Sequence, residues 1–164
     1  MRTVEGDLWA IRIWRVVTTN LTIRADGQAA MGRGTAAQAA SKWPDLPRWY
    51  GERIRAGERG LVAHEGHGLL LLPVKVGWRD PADLHLLECS LVELASFAAK
   101  HPADVIATPV PGIGFGGLAR GQVEPLLQRH LGPLSNVVLV ERAADVQERY
   151  RASFRGSVRQ DRSL

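Results

Sequence analysis

Two short runs of this chain carry no polar residue on either face: LLLLPV over residues 69–74 and VVLV over 137–140. A strand with one wet face alternates polar and apolar side chains. A run without alternation reads as a strand covered on both sides. The neighbouring stretches supply the cover. TAAQAASK, in the helix expected over Gly34–Lys42, is rich in helix formers, and Pro44 stops it. A shorter helix is expected over Leu46–Arg55. Asp83 can cap a long one over Leu84–Lys100, where Leu87, Leu91, Leu94 and Ala98 recur at helical spacing. A strand over Val105–Val110, a glycine loop, a helix over Leu118–Leu131, the strand Val137–Val140 and a last helix over Ala143–Ala152 follow. Nearer the N-terminus, alternation in IRIWRVV predicts a strand over Trp9–Thr18, with a turn at Asp26-Gly27. LVAHE (61–65) and LLLLPV read as two strands joined by the tight link Gly66-His67-Gly68. Strands alternating with helices imply an α/β sandwich whose sheet carries helices on both faces. Such sheets bind ligands at the carboxyl ends of their strands.

The chain has 164 residues, the length of one domain, and is 45% hydrophobic, enough for a proper core. Cys89 is the single cysteine, which excludes an internal disulfide and a cysteine zinc site. MRTVEGDLW lacks the basic and apolar regions of a signal peptide, and LLLLPV is far too short to span a bilayer. A soluble, reducing, cytoplasmic setting and a monomer are expected. The formal net charge is +4, and Arg149, Arg151, Arg155, Arg159 and Arg162 crowd the C-terminal part. A basic tail is either a solvated segment or an attractor of polyanions, which leaves a nucleic acid open as a partner.

Two glycine-rich loops each precede a predicted helix: GQAAMGRGTAAQ (27–38) and PGIGFGGLARGQV (111–123). Each can offer backbone N–H groups and the positive end of a helix dipole to a phosphate. The second contains Gly112-x-Gly114-x-x-Gly117, and Glu141 lies 24 residues beyond Gly117. A Rossmann unit holds a ribose with an acid about 20 positions on. Here, however, the fingerprint falls in the last third of the chain, Pro109 and Pro111 stiffen its approach, and too little chain follows for a second half. His64-Glu65-Gly66-His67 has its histidines three apart among glycines, not four apart on a helix, and reads as a turn; no metal is expected. No G-x-S-x-G elbow is present, and Cys89 sits inside a helix as an inert thiol. Lys75, at the carboxyl end of LLLLPV, is either a snorkelling edge residue or a functional amine. Trp78 and Arg79 follow it. Asn20, closing VTTN, is either a strand-ending turn residue or a carboxamide for sugar hydroxyls.

Taken in order, EGDLW (5–9), VTTN (17–20), AMGRGTAAQ (30–38) and GIGFGGLARGQV (112–123) resemble the motifs of the macrodomain family, the ADP-ribose-binding α/β/α module. The resemblance implies a three-layer α/β/α sandwich around a central mixed sheet, over residues 1–152, with a basic tail over 153–164. PVKVGW (73–78), followed by a leucine-rich helix, resembles the Pro-Thr-Lys-x-x-Trp element of the terminal ADP-ribose glycohydrolases and the DNA-ADP-ribose glycohydrolase antitoxins. In that branch the lysine is catalytic.

The resemblance implies a role for each matching position. Asp7, with Leu8, would meet the adenine. Met31, Gly32, Gly34 and Thr35 would lie along the diphosphate and distal ribose. Gly112, Ile113, Gly114, Phe115, Gly116 and Gly117 would form the second phosphate loop, Phe115 packing on the distal ribose. Thr19 and Arg142 complete the ligand-contacting set, and Asn20 and Lys75 would act at the distal ribose. No cofactor is implied. The chain departs from the branch at Gly116, where terminal glycohydrolases carry an aspartate, at Phe115, and at Ala119-Arg120. With no loop carboxylate, a water held by the diphosphate or by Asn20 is the expected substitute. The implied activity is hydrolysis of ADP-ribose from a macromolecule, with protein acidic side chains as the leading carrier and a DNA base as the alternative. A non-catalytic ADP-ribose reader is the competing class, and a nicotinamide oxidoreductase a distant third.

Overall fold

The computed structural model describes residues 1–11 and 14–142. Six strands form one sheet: β1 (Arg2–Glu5), β2 (Trp14–Asn20), β3 (Val62–His64), β4 (Leu69–Lys75), β5 (Ile106–Thr108) and β6 (Val137–Glu141). Their order is β1-β6-β5-β2-β4-β3. All neighbours pair parallel except β3 and β4, which form an antiparallel edge. Helices α1 (Gly34–Lys42) and α2 (Leu46–Arg55) cover one face, and α3 (Leu84–Lys100) and α4 (Arg120–His130) the other. The expected three-layer sandwich with a mixed sheet is present.

The LLLL run now has its reason. Leu69 and Leu71 pack with Val17, Tyr50 and Ile54 under α1 and α2, whereas Leu70, Leu72 and Val74 pack with Val16, Leu87, Leu91 and Leu127 under α3 and α4. Every residue from Leu69 to Leu72 is fully buried. VVLV behaves alike: Val137 and Leu139 face α3 and α4, and Val138 and Val140 meet Leu8 and Ala107. Burying each such side chain contributes about 1.5–3 kcal/mol, so β2, β4 and β6 are pinned from both sides.

Several boundaries differ from expectation. The segment Trp9–Thr18 is not one strand. Asp7 accepts a hydrogen bond from the Trp9 amide at 3.0 Å and caps a single 3-10 turn over Leu8–Ala10; the strand begins at Trp14 and runs through Asn20. β1, a mostly exposed edge strand with no apolar alternation, is new. Val105–Val110 contracts to Ile106–Thr108, because Pro109 and Pro111 have no N–H to give a ladder. The helix expected from Leu118 starts at Arg120, since the Leu118 amide bonds back to Gly112 O at 3.0 Å. The helix expected over Ala143–Ala152 and the basic tail lie outside the described residues. Helices α1, α2 and α3 keep their expected limits.

The strand expected over 61–65 stops at His64, and Glu65–His67 forms a 3-10 turn ended by Gly68 at φ +61°. The His64 and His67 rings stack at 4.3 Å and 4°, and Trp49 and Trp43 close the two ends of the stack. Among the described residues no group of three or more His, Cys, Asp or Glu is gathered to hold a metal. Burial, and then the neighbouring His67, hold the His64 pKa below its ordinary value. The unfolded chain therefore binds the proton more readily than the folded one. Stability should be full above pH of about 6.5 and fall as the pH drops through that value. Urea unfolding from pH 7.5 to 5 should show this fall, and His64→Asn should be less pH-sensitive than the parent.

Candidate functional site at the carboxyl edge of the sheet

Five strands, β1, β2, β4, β5 and β6, run parallel and end at the same edge. The loops that follow them enclose a cavity of about 850 Å³. That is the size of a pocket for a ligand of nucleotide dimensions.

Lys75 sits at the cavity where β4 ends. It pairs across the ladder with Asn20, the last residue of β2, after a register shift between Thr19 and Asn20. Thr19 pairs with Pro73, and the shift falls where proline lacks an amide proton. The Lys75 Nζ donates to Trp78 O at 3.0 Å and Asp80 O at 3.1 Å. The ammonium thus folds the loop after β4 around itself. The Asn20 carboxamide is also engaged: its Nδ2 donates to Ala30 O at 2.8 Å, and its Oδ1 accepts from the Thr22 amide at 3.0 Å. One amide hydrogen and one carbonyl lone pair remain for a ligand. Thr19 lines the cavity as well, but its hydroxyl bonds inward to Tyr50 at 3.0 Å. Burial pushes the Tyr50 phenol up to about 12, so it stays neutral.

The first glycine loop lines the cavity with Gly32, Gly34 and Thr35. It leads directly into α1, whose N-cap residue, Arg33, makes no side-chain capping bond. The first amides of α1 are therefore open to an anion. The Thr35 hydroxyl meets Thr18 Oγ1 at 3.0 Å and ties this helix start to β2. Met31 is not at the cavity. It is buried with Ala36, Ala39 and Tyr50 beneath α1 and α2, where an apolar thioether is drawn into the core.

The second loop contributes Gly112, Ile113, Gly114, Phe115 and Gly116. It is not a straight strand-to-helix turn: Gly114–Gly116 form a 3-10 turn, and α4 starts only at Arg120. Gly112 has φ +79°, and a Cβ there would lie 2.8 Å from Leu118 Cδ1. Gly117 ends the turn at φ +74° and does not reach the cavity. Phe115 touches the first loop: its Cδ2 lies 3.7 Å from where a Gly34 Cβ would stand. Gly116 O accepts from the Ala82 amide at 2.7 Å, and a Cβ at Gly116 would come within 3.1 Å of the Ala82 methyl. A side chain at Gly116 would therefore need the segment before α3 to give way slightly.

Asp7, Leu8 and Arg142 line the far end of the cavity with Trp9, Gln38 and Arg120. Sequence reasoning missed the last three and Arg33. Trp9 Nε1 donates to Gln38 Oε1 at 2.8 Å. Arg120 Nη1 donates to Glu141 at 2.8 Å and to Glu124 at 3.2 Å. Glu141 is fully buried, so it needs such a cation. Burial alone would lower the Arg120 pKa, but the two carboxylates outweigh it and hold it above its usual value. An acid closing an all-apolar strand was the available signal. Glu141 braces Arg120 and is not the ribose acid of a Rossmann site.

No profile of a known protein family matches the chain. Among curated relatives, a DNA ADP-ribosyl transferase–DNA ADP-ribosyl glycohydrolase fusion protein of Thermosipho africanus is 25% identical over 88% of this chain and 43% of its own length. A DNA ADP-ribosyl glycohydrolase of Thermus aquaticus is 27% identical over 84% of this chain and 39% of its own. The chain thus spans about two-fifths of the curated relatives it matches. Among solved structures, the macrodomain of Thermus aquaticus DarG superposes with a TM-score of 0.70 at 26% identity, covering 85% of this chain and 95% of that one. The macrodomain of Mycobacterium tuberculosis DarG gives 0.71 at 25%, covering 86% and 95%. Thermosipho africanus DarTG in complex with ADP-ribose shares the fold at 0.69 and 24%, covering 86% and 41%.

Sheet order, layers and paired glycine loops give this chain the macrodomain fold. Within that class its likeness runs to the DarG branch. Replacing Glu141 with Gln should lower the unfolding free energy by about 1–3 kcal/mol, the cost of weakening a buried bond to a charged group. Arg120→Ala in that background should then cost much less than it does alone, as read by a double-mutant cycle in urea.

Proposed function

We propose that this macrodomain is an ADP-ribosyl hydrolase that binds ADP-ribose in the cavity and releases it from a DNA base. The observation that carries the reading is Lys75: an ammonium fixed opposite Asn20, at a strand end that lines the same cavity as the two glycine loops. The open start of α1 suits the diphosphate, and Asp7 the adenine amino group. Lys75 then lies at the distal ribose, next to the bond that breaks. As that glycosidic bond opens, the electron pair leaves with the base, and the ammonium stabilises the developing negative charge. Water adds at the anomeric carbon, oriented by Asn20 or the diphosphate, and the proton it loses ends on the departing base. The relatives named as DNA ADP-ribosyl glycohydrolases support a base as the leaving group in place of a protein carboxylate. One feature favours the reader alternative: Gly116, packed close against the Ala82 methyl, supplies no loop carboxylate.

Incubation with DNA-linked and Glu-linked ADP-ribose decides among these readings. Release from DNA alone is expected; binding of ADP-ribose with no release from either would make the domain a reader. Lys75→Ala should lower kcat by about 100-fold or more while ADP-ribose affinity changes little, and unimpaired turnover would remove Lys75 from the chemistry. Asp7→Ala should weaken ADP-ribose binding by about 1–3 kcal/mol, measured by calorimetry.

A further inference from the structure

Four large hydrophobic side chains stand exposed among the described residues, and three of them, Val76, Trp78 and Phe115, stand on the two loops that border the Lys75 side of the cavity. Scattered single exposures are ordinary, but a group beside a pocket mouth marks a contact surface. Trp78 is 43% exposed and Phe115 67%. Each ring carries an arginine: Arg79 Cζ lies 4.7 Å from the Trp78 ring centre, and Arg33 Cζ lies 5.6 Å from that of Phe115.

The Trp78 loop is also stiff. Its amide donates to Thr22 Oγ1 at 3.0 Å, and its carbonyl accepts from Lys75 Nζ at 3.0 Å. The Asp80 carboxylate turns back to accept from the Gly77 amide at 3.0 Å. Asp83 caps α3. The two acids of this segment are thus committed to its own backbone, while Arg79 and the ring point their chemistry outwards. An exposed tryptophan on a backbone held at both its N–H and its C=O is a pre-organised stacking surface.

Resting on the hydrolase reading above, we propose that Trp78, with Arg79, and Phe115, with Arg33, form a stacking clamp for the nucleobase that carries the ADP-ribose and for its neighbour on a single strand. Aromatic faces stack any base, and adjacent guanidinium groups meet the flanking phosphates. An unpaired strand fits because a stacked base in a duplex hides its faces. Lys75 Nζ is bonded to the backbone of Trp78 itself, so the clamp and the ammonium form one unit. A base seated on the ring is thereby brought to the lysine.

The test compares affinities for free ADP-ribose and for a single-stranded oligonucleotide bearing one ADP-ribosylated base. Stopped-flow anisotropy within the first turnover provides both, so the reading does not depend on whether hydrolysis follows. The parent protein should bind the oligonucleotide the more tightly. Trp78→Ala should reduce that advantage by about 10- to 100-fold, the scale of one base–aromatic stack. Trp78→Phe should keep most of it, and Arg79→Ala should lose part of it and flatten its salt dependence. Equal weakening of both ligands by Trp78→Ala would mean that the ring covers ADP-ribose itself, and would overturn the clamp. So would an oligonucleotide bound no better than free ADP-ribose, or an equal Trp78-dependent advantage for an ADP-ribosylated glutamyl peptide. Loss of the hydrolase reading shows separately, as absence of ADP-ribose release with the affinity difference intact.

Discussion

The pairing of β2 with β4 at the centre of the sheet is the constraint on which the cavity depends. Both strands are covered on both faces, and their side chains divide between two cores. Neither strand can slide by one residue without turning a leucine row from one core to the other. That rigidity fixes where the strands end, and Asn20 and Lys75 are their last residues. The Lys75 backbone is held by a ladder whose register the leucines enforce, and its Nζ by the Trp78 and Asp80 carbonyls.

The loops inherit their order from that edge. Lys75 gathers the Trp78 and Asp80 carbonyls, the Ala82 amide reaches Gly116 O, and Phe115 of the second glycine loop approaches Gly34 of the first. The three loops thus contact one another in series around the cavity. A change in one is felt in the next, which gives Gly116 its significance. An added carboxylate there would press on Ala82, and the segment between β4 and α3 would have to give way. The chain sets Ala82 close to the position where related enzymes are expected to place an acid, and on the proposed reading the chemistry falls to Lys75 and the substrate.

The opposite end of the cavity rests on a different interaction. Glu141, buried at the end of β6, holds Arg120 at the start of α4, while Trp9 and Gln38 join the 3-10 turn to α1. One end is thus set by an ion pair and an indole bond, the other by a lysine and backbone carbonyls. The cavity presents two chemically distinct halves to an elongated ligand, joined by glycine loops that supply amides and little bulk.

The amino-acid sequence by itself determined the layers. LLLLPV and VVLV cannot be half-wet strands, and the helical spacing in Leu84–Lys100 cannot be a strand, so an α/β sandwich with a covered sheet followed from periodicity. It also marked Asn20, Lys75 and both glycine loops, because residue type and position at strand ends are local facts. Where it failed, the deciding forces were not local. The strand expected from Trp9 fails at its start, where Asp7 capping and the Trp9–Gln38 bond hold Leu8–Ala10 as a 3-10 turn. Met31 sits in a phosphate-loop motif, yet the core beneath α1 claims its side chain. Only the tertiary structure could join Glu141 to Arg120, 21 residues apart, or set Ala82 against Gly116. Such contacts arise when separate elements close on one another, and no spacing along the chain encodes them.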